Sequence, residues 1–181
     1  FDFGESYKYV GQNVGDLIRP RIWNSVQLGL FGLSIGVLVG TALGLLAALK
    51  QGSWIDPVIV TSALFLSSLP VFILQPVLAV LLSRTLRLLP SSGWEPGLFG
   101  LQLLSPYVVM PGIILALGPI GGMTRLMRAS TLEVINQDYV RTGRAKGLHE
   151  SSIRLWYIAR NSVLPLITTL GLAIASLVEG G

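Results

Sequence analysis

The segment RTGRAKGLHESSIRLWYIARNSVLP, residues 141–165, carries five cationic side chains and the chain's single histidine. Its chemistry is charge and shape, because the groups a catalyst needs do not gather around it. GRAKG at 143–147 has glycines but neither the spacing nor the Lys-Ser or Lys-Thr of a phosphate-binding G-x-x-x-x-G-K-[ST] loop. His149 alone cannot supply a zinc site, and no carboxylate cluster accompanies it. It is also the one histidine available as a base to Ser25, Ser34 or any other serine, so a hydrolase has little to build on, and its plain reading is a surface loop residue. The absence of cysteine excludes disulfides, thiolate metal sites and Cys nucleophiles.

Local signals around this segment predict a protrusion. Ser130 and Glu133 in STLE have the spacing of a capping box, so a helix is expected to start there. Leu132, Ile135 and Tyr139 recur at i, i+3 and i+7 as an apolar stripe, and Gly147 is expected to end the helix. Beyond the turn, Ile153, Trp156, Tyr157 and Leu164 again follow helical spacing, with Arg154 and Arg160 able to reach acidic headgroups or water. Pro165 falls where the chain can bend. A helix, a tight glycine turn and a second helix form a shape suited to docking.

The elements that must display it are apolar. Hydrophobic residues make up 51% and charged residues 12% of the 181, too little polar surface to cover a soluble globule of that length. Uncharged runs cover 22–49, 57–83, 96–124 and 161–178, and about 18 to 20 apolar residues suffice to cross a hydrocarbon core. We therefore expect an all-α membrane protein, a polytopic helical bundle with spans near 22–49, 58–83, 106–124 and 161–179. Residues 1–21 read as an extracytoplasmic segment, neither signal peptide nor span. From the missing initiator Met, and from a last run that reaches the spanning limit at the final residues, the sequence is expected to be truncated at both ends.

The pI near 9.8 would suggest nucleic acid in a soluble protein, but here the excess charge sits in one loop. Between residues 123 and 160, seven cations face three carboxylates, a net +4, so 125–160 is expected in the cytoplasm. The connection 84–105 has only Arg84 and Arg87 and belongs outside, as then does 1–21, although Lys8, Arg19 and Arg21 oppose this slightly.

Within the spans, Gly32, Gly36, Gly40 and Gly44 line one helical face at four-residue spacing, which lets another backbone come close. Ordinary helix packing is the favoured reading; a sliding or dimer-specific face is the alternative. Pro70 and Pro76 are expected to kink the second span, and Ser67, Ser68 and Gln75 either satisfy the freed carbonyls or line a polar translocation path. GLFGLQLLS at 97–105 reads as a short interfacial or re-entrant helix. The third span, with Pro111, Pro119 and the glycines at 118–122, is expected to be kinked or locally broken. Glu179 is the one ionisable residue at the edge of a span, either interfacial or part of a pore.

The run DYVRTGRAKGLHESSIRLWYIARNSVLP, 138–165, closely resembles the cytoplasmic coupling motif of ABC importer permeases of the dipeptide, oligopeptide and nickel type. That pattern reads Tyr-Val-Arg-Thr-Ala-Arg-Ala-Lys-Gly-Leu and continues to Arg-Asn-x-x-x-Pro. Its matches are Tyr139, Val140, Arg141, Thr142, Arg144, Ala145, Lys146, Gly147, Leu148, Arg160, Asn161 and Pro165. RPRIWNSVQLGL, SLPVFILQPVL and FDFGESYKY extend the likeness over nearly the whole chain. Gly143 departs from the usual alanine and loosens its helix by about 0.5 to 1 kcal/mol. His149 stands where a helix-capping serine or similar residue is frequent.

The resemblance implies the type I ABC importer permease fold, a single permease domain over 1–181, and a place in the bacterial inner membrane. It implies no catalytic site or cofactor in this chain, with ATP and Mg held by cytoplasmic ABC ATPase subunits. A second homologous permease and an extracytoplasmic solute-binding protein are the other expected partners. Residues Arg141, Thr142, Gly143, Arg144, Ala145, Lys146, Gly147, Leu148, His149 and Glu150 are the expected ATPase-coupling contacts. In this reading Arg144 and Lys146 pair with acidic groups on the ATPase and Leu148 adds an apolar contact. The expected cargo is peptide, with nickel or another small solute as the alternative. An ion-coupled secondary transporter and a structural subunit of a membrane complex are the rival functions.

Overall fold

In lipid, a backbone satisfies its polar groups within its own segment, and helix is the single-stranded way to do so. The computed structural model describes residues 4–90, 93 and 105–179. In order come α1 (Val14–Leu49), α2 (Ile55–Ser68), α3 (Val71–Leu78) continued by a π-helical stretch Ala79–Thr85, and α4 (Pro106–Ile135). Then follow α5 (Asp138–Ala145), α6 (Glu150–Ser152), a π-helical stretch Ile153–Ala159, α7 (Arg160–Ser162) and α8 (Leu164–Glu179). Val14–Leu49, Pro106–Ile135 and Glu150–Ile174 are each long and apolar enough to cross a membrane, and the bent pair α2–α3 makes a fourth if it counts as one span. This is the all-helical, multi-pass architecture expected from composition.

The glycine stripe of α1 packs on α4. A methyl group on Gly32 would lie 2.8 Å from Leu115 Cβ, on Gly40 2.7 Å from Met123 Cβ, and on Gly44 2.8 Å from Met127 Cβ; Gly36 faces Pro119 in the same way. The partners advance in the same direction on both helices, so α1 and α4 run parallel. The stripe thus serves packing within the chain, which in lipid rests on close contact rather than on hiding apolar surface from water. Met123 and Met127 continue this contact to Leu166 on α8, with Val37 and Leu45 of α1 alongside.

Several expectations need correction. α1 starts at Val14 rather than near residue 22, so part of the segment expected outside the span is its first two turns, with Asp16 favourably placed at the N-terminus. Pro70 does not kink a continuous second span but ends one helix and starts another: α2 and α3 meet at 92°. A proline and its predecessor both resist the helical conformation, and Leu69 is extended (ψ 126°). Pro76 stays inside α3. α4 is neither broken nor ended near residue 124: it runs unbroken past Pro111 and Pro119 to Ile135. Gly36 leaves room for the ring of Pro119, so packing along this face offsets the roughly 3 kcal/mol cost of an interior proline.

The predicted start at Ser130 also fails, since that residue is buried in the last turns of α4 and the real N-cap is Ser105, whose Oγ accepts from Tyr107 N–H. Residues 125–135 therefore continue the α4 helix, and within 125–160 the connecting hairpin begins only at Asn136. The helix read at 97–105 lies outside the described residues except for Ser105.

Candidate functional site

The hairpin is closed by its own backbone. Gly147 has φ +74°, the left-handed region that side chains disfavour, and follows Lys146 at the end of α5. Its N–H donates to Arg144 O (2.9 Å) and Leu148 N–H donates to Gly143 O (3.3 Å), the two bonds of a Schellman motif. Leu148 folds back over Gly143, as the hydrophobic contact of that motif requires. On the far side His149 caps the next helix, its Nδ1 accepting from Ser151 N–H at 3.3 Å with Ser151 Oγ at 2.6 Å. His149, read from sequence as a surface loop residue departing from a capping serine, is exposed and caps the helix with its imidazole.

A small apolar core fixes the two arms. Val140, Ile153 and Ile158 are fully buried together, with Val134, Ile135 and Tyr157 packed around them. The π-helical stretch explains how Ile153 and Ile158, five apart, share a face: its wider turn brings i and i+5 nearly into line, where an α-helix would separate them. The stripe expected from Leu132, Ile135 and Tyr139 does not survive, because α4 ends at Ile135 and α5 restarts the phase. Tyr139 is exposed, and Val140 is the buried residue. Trp156 and Leu164 are exposed as well, so of the second predicted stripe only Ile153 and Tyr157 face the core.

Charge crosses the turn. Arg144 donates from Nη2 to Glu150 Oε1 (3.2 Å) and from Nε to Oε2 (3.3 Å), while Arg154 Nε reaches Oε1 at 3.4 Å. Glu150 precedes the uncharged run that starts at residue 161, and the hydrogen bonds from Arg144 hold its carboxyl below the ordinary glutamate value. Arg144 was expected to pair with a partner's acid; here it is occupied within the chain. Arg141 makes a looser contact to Asp138 (3.7 Å), both side chains well exposed. Thr142, Ala145, Lys146 and Leu148 present outward, and Tyr139, Thr142, Gly143, Lys146 and Tyr157 line a groove of about 270 Å³.

The candidate path residues stand elsewhere. Ser67 and Ser68 both donate to Leu64 O (3.0 and 2.8 Å), whereas Leu66 O, the carbonyl that Pro70 leaves without its usual donor, accepts from Leu69 N–H at 3.4 Å. The two serines therefore do not perform the repair expected of them. Ser67 packs on Gly121 of α4, and Gln75 lies exposed on α3, past the bend.

Sequence reasoning missed one pair altogether. Arg128 binds Asp56 with both ends of its guanidinium, Nε to Oδ1 at 2.6 Å and Nη2 to Oδ2 at 2.7 Å, and the Asp56 side chain is only 8% exposed. The available signal was placement: an Asp just before one uncharged run and an Arg just after another, on the same predicted side.

A family model described as "Binding-protein-dependent transport system inner membrane component" matches residues 40–181. The chain is 35% identical over 179 residues to the oligopeptide transport system permease protein OppB of Haemophilus influenzae, covering 99% of this chain and 56% of that one. It is 35% identical over 180 residues to the dipeptide transport system permease protein DppB of Bacillus subtilis, with 99% and 56% covered. A putative peptide transport system permease protein of Brucella abortus is 34% identical over 180 residues, with 99% and 57% covered. The chain thus spans little more than half the length of these relatives. By this family match and these identities, the chain belongs to the family of binding-protein-dependent transport system inner-membrane components.

Proposed function

We propose that this chain is part of the transmembrane subunit of an ATP-driven importer for peptides, and that its hairpin, 138–150, is the handle by which a cytoplasmic ATPase moves the spans. The observation that carries the reading is rigidity: the Schellman closure at Gly147 and the core of Val140, Ile153 and Ile158 make the protrusion a body that can transmit force. Arg141, Arg144, Lys146, Leu148 and the groove beside Lys146 form its docking face. The ATPase need only bind this face more tightly in one arrangement of the spans than in another. ATP and Mg belong to that partner, and a second permease chain and an extracytoplasmic binding protein complete the assembly. The parallel course of α1 and α4 puts the starts of both spans on one side, and the excess of Lys and Arg in 125–160 is what favours the cytoplasm for the other. Ser67, Ser68 and Gln75 are the candidate contacts of the solute path. Peptide is the cargo named for the relatives.

The test is Gly147→Trp in the intact permease, reconstituted with its ATPase and binding protein. Uptake per ATP hydrolysed is expected to fall about tenfold or more. Coupled uptake at the original ratio removes the hairpin from the mechanism, and uptake driven by an ion gradient without ATP replaces the importer with a secondary transporter.

A further inference from the structure

Arg128 is where three helices meet. Its backbone N–H region lies against Gly44, where an added methyl would come within 3.1 Å of the Arg128 nitrogen, and its side chain reaches Asp56 in the first turn of α2. The pair is a two-point contact between residues 72 apart in sequence, with Arg128 31% exposed and Asp56 nearly enclosed. From Arg128 the helix continues without interruption to Ile135, about 10 Å at 1.5 Å per residue, and the hairpin follows. Toward the other end of α2, the contact with α4 is of a different kind. Gly121 lies against Ser67 and the Ala63 carbonyl, a close approach of α2 to the α4 backbone. The pair at Arg128 is thus the charged, two-point tie between α2 and α4, and the approach at Gly121 a close contact on backbone. Ser67 sits two residues before the 92° break at Leu69 and Pro70.

We infer that Asp56 and Arg128 are positioning residues for transport: their pair makes α2 follow α4 when the hairpin is driven, and so carries the motion to the break beside Ser67 and Ser68. This rests on the reading of 138–150 as the ATPase's handle. Neither residue was among the expected coupling or path contacts. A planar guanidinium holding a carboxylate at two points fixes direction as well as distance, which a single apolar contact or a lysine would not.

A part-buried pair also contributes to structure, so the test separates the two roles. Replacing both members by apolar groups of similar size commonly leaves stability unharmed, whereas removing one partner does not. The decisive variant in the reconstituted intact transporter is therefore the double substitution Asp56→Leu with Arg128→Met, accompanied by the exchange Asp56→Arg with Arg128→Asp and by Arg128→Lys. Assembled complex, ATP hydrolysis and peptide uptake are measured together. The apolar double variant is expected to assemble and hydrolyse ATP, with uptake per ATP reduced about tenfold, and the exchange is expected to recover most of that ratio. Arg128→Lys keeps the charge but loses the two-point geometry, and is expected to reduce the ratio severalfold at normal assembly. An unchanged ratio in assembled complexes of the apolar double variant overturns the proposal and leaves the pair a structural staple. If that variant does not assemble, an unchanged ratio for Arg128→Lys overturns it. Gly147→Trp measured alongside tells the failures apart: a normal ratio there removes the handle itself, whereas a reduced ratio there with normal Asp56 and Arg128 variants removes only the link.

Discussion

Arg144 and Glu150 face each other across the Gly147 turn, their side chains joined by two hydrogen bonds of 3.2 and 3.3 Å. Both are near half exposed, so the pair contributes no more than about 1 kcal/mol to stability. In the proposed docking, the consequence is competition: an acidic group on the ATPase would have to share or displace Glu150 to reach Arg144. Glu150→Gln is expected to leave the melting temperature of the purified permease nearly unchanged while strengthening ATPase binding at low salt by up to about fivefold. Weaker binding in a pull-down or titration at low salt would show that Glu150 itself makes the contact.

Two glycines four residues apart in the hairpin answer differently to a methyl group. At Gly143 an added Cβ would find Leu148, Tyr157 and Ile153 at 3.6 to 3.9 Å, ordinary van der Waals contact. Gly143→Ala is expected to stabilise the hairpin by about 0.5 to 1 kcal/mol through lower chain entropy in the unfolded state. At Gly147 the space is open but φ is +74°. Gly147→Ala is expected to cost about 1 kcal/mol or more, and Gly147→Asn less, because asparagine enters the left-handed region more readily. Hydrogen exchange of amides 143–148 reads both effects, and equal protection in the two alanine variants would contradict the assigned geometry.

Gly40 lies within the close α1–α4 approach. A methyl there would fall 2.7 Å from Met123 Cβ and 2.8 Å from the Ile120 carbonyl, and backbone cannot give way as a side-chain tip can. Gly40→Ala is expected to destabilise the permease by about 1 to 3 kcal/mol, whereas Gly118→Ala, with nothing within 4 Å, has little effect in this chain. Thermal unfolding in detergent compares the two. Equal melting temperatures would mean that α1 and α4 do not meet along this stripe.

The sequence by itself determined the local and the compositional. Uncharged runs announced helices in lipid, Gly147 announced a turn, and the spacing of Gly32, Gly36, Gly40 and Gly44 announced a close approach, because each signal lies in one residue's backbone freedom or one helix face. Only the tertiary structure decided who approaches whom. Gly36 receives Pro119 and thereby lets α4 run straight through a proline that local rules expect to break it, while Pro70, at the end of α2 with Leu69 extended, does break its span. Glu150 claims Arg144 from across the turn, and Asp56 finds Arg128 from 72 residues away. Such pairings depend on how whole helices are stacked, and the energy that selects them is summed over an interface that no short window of sequence contains.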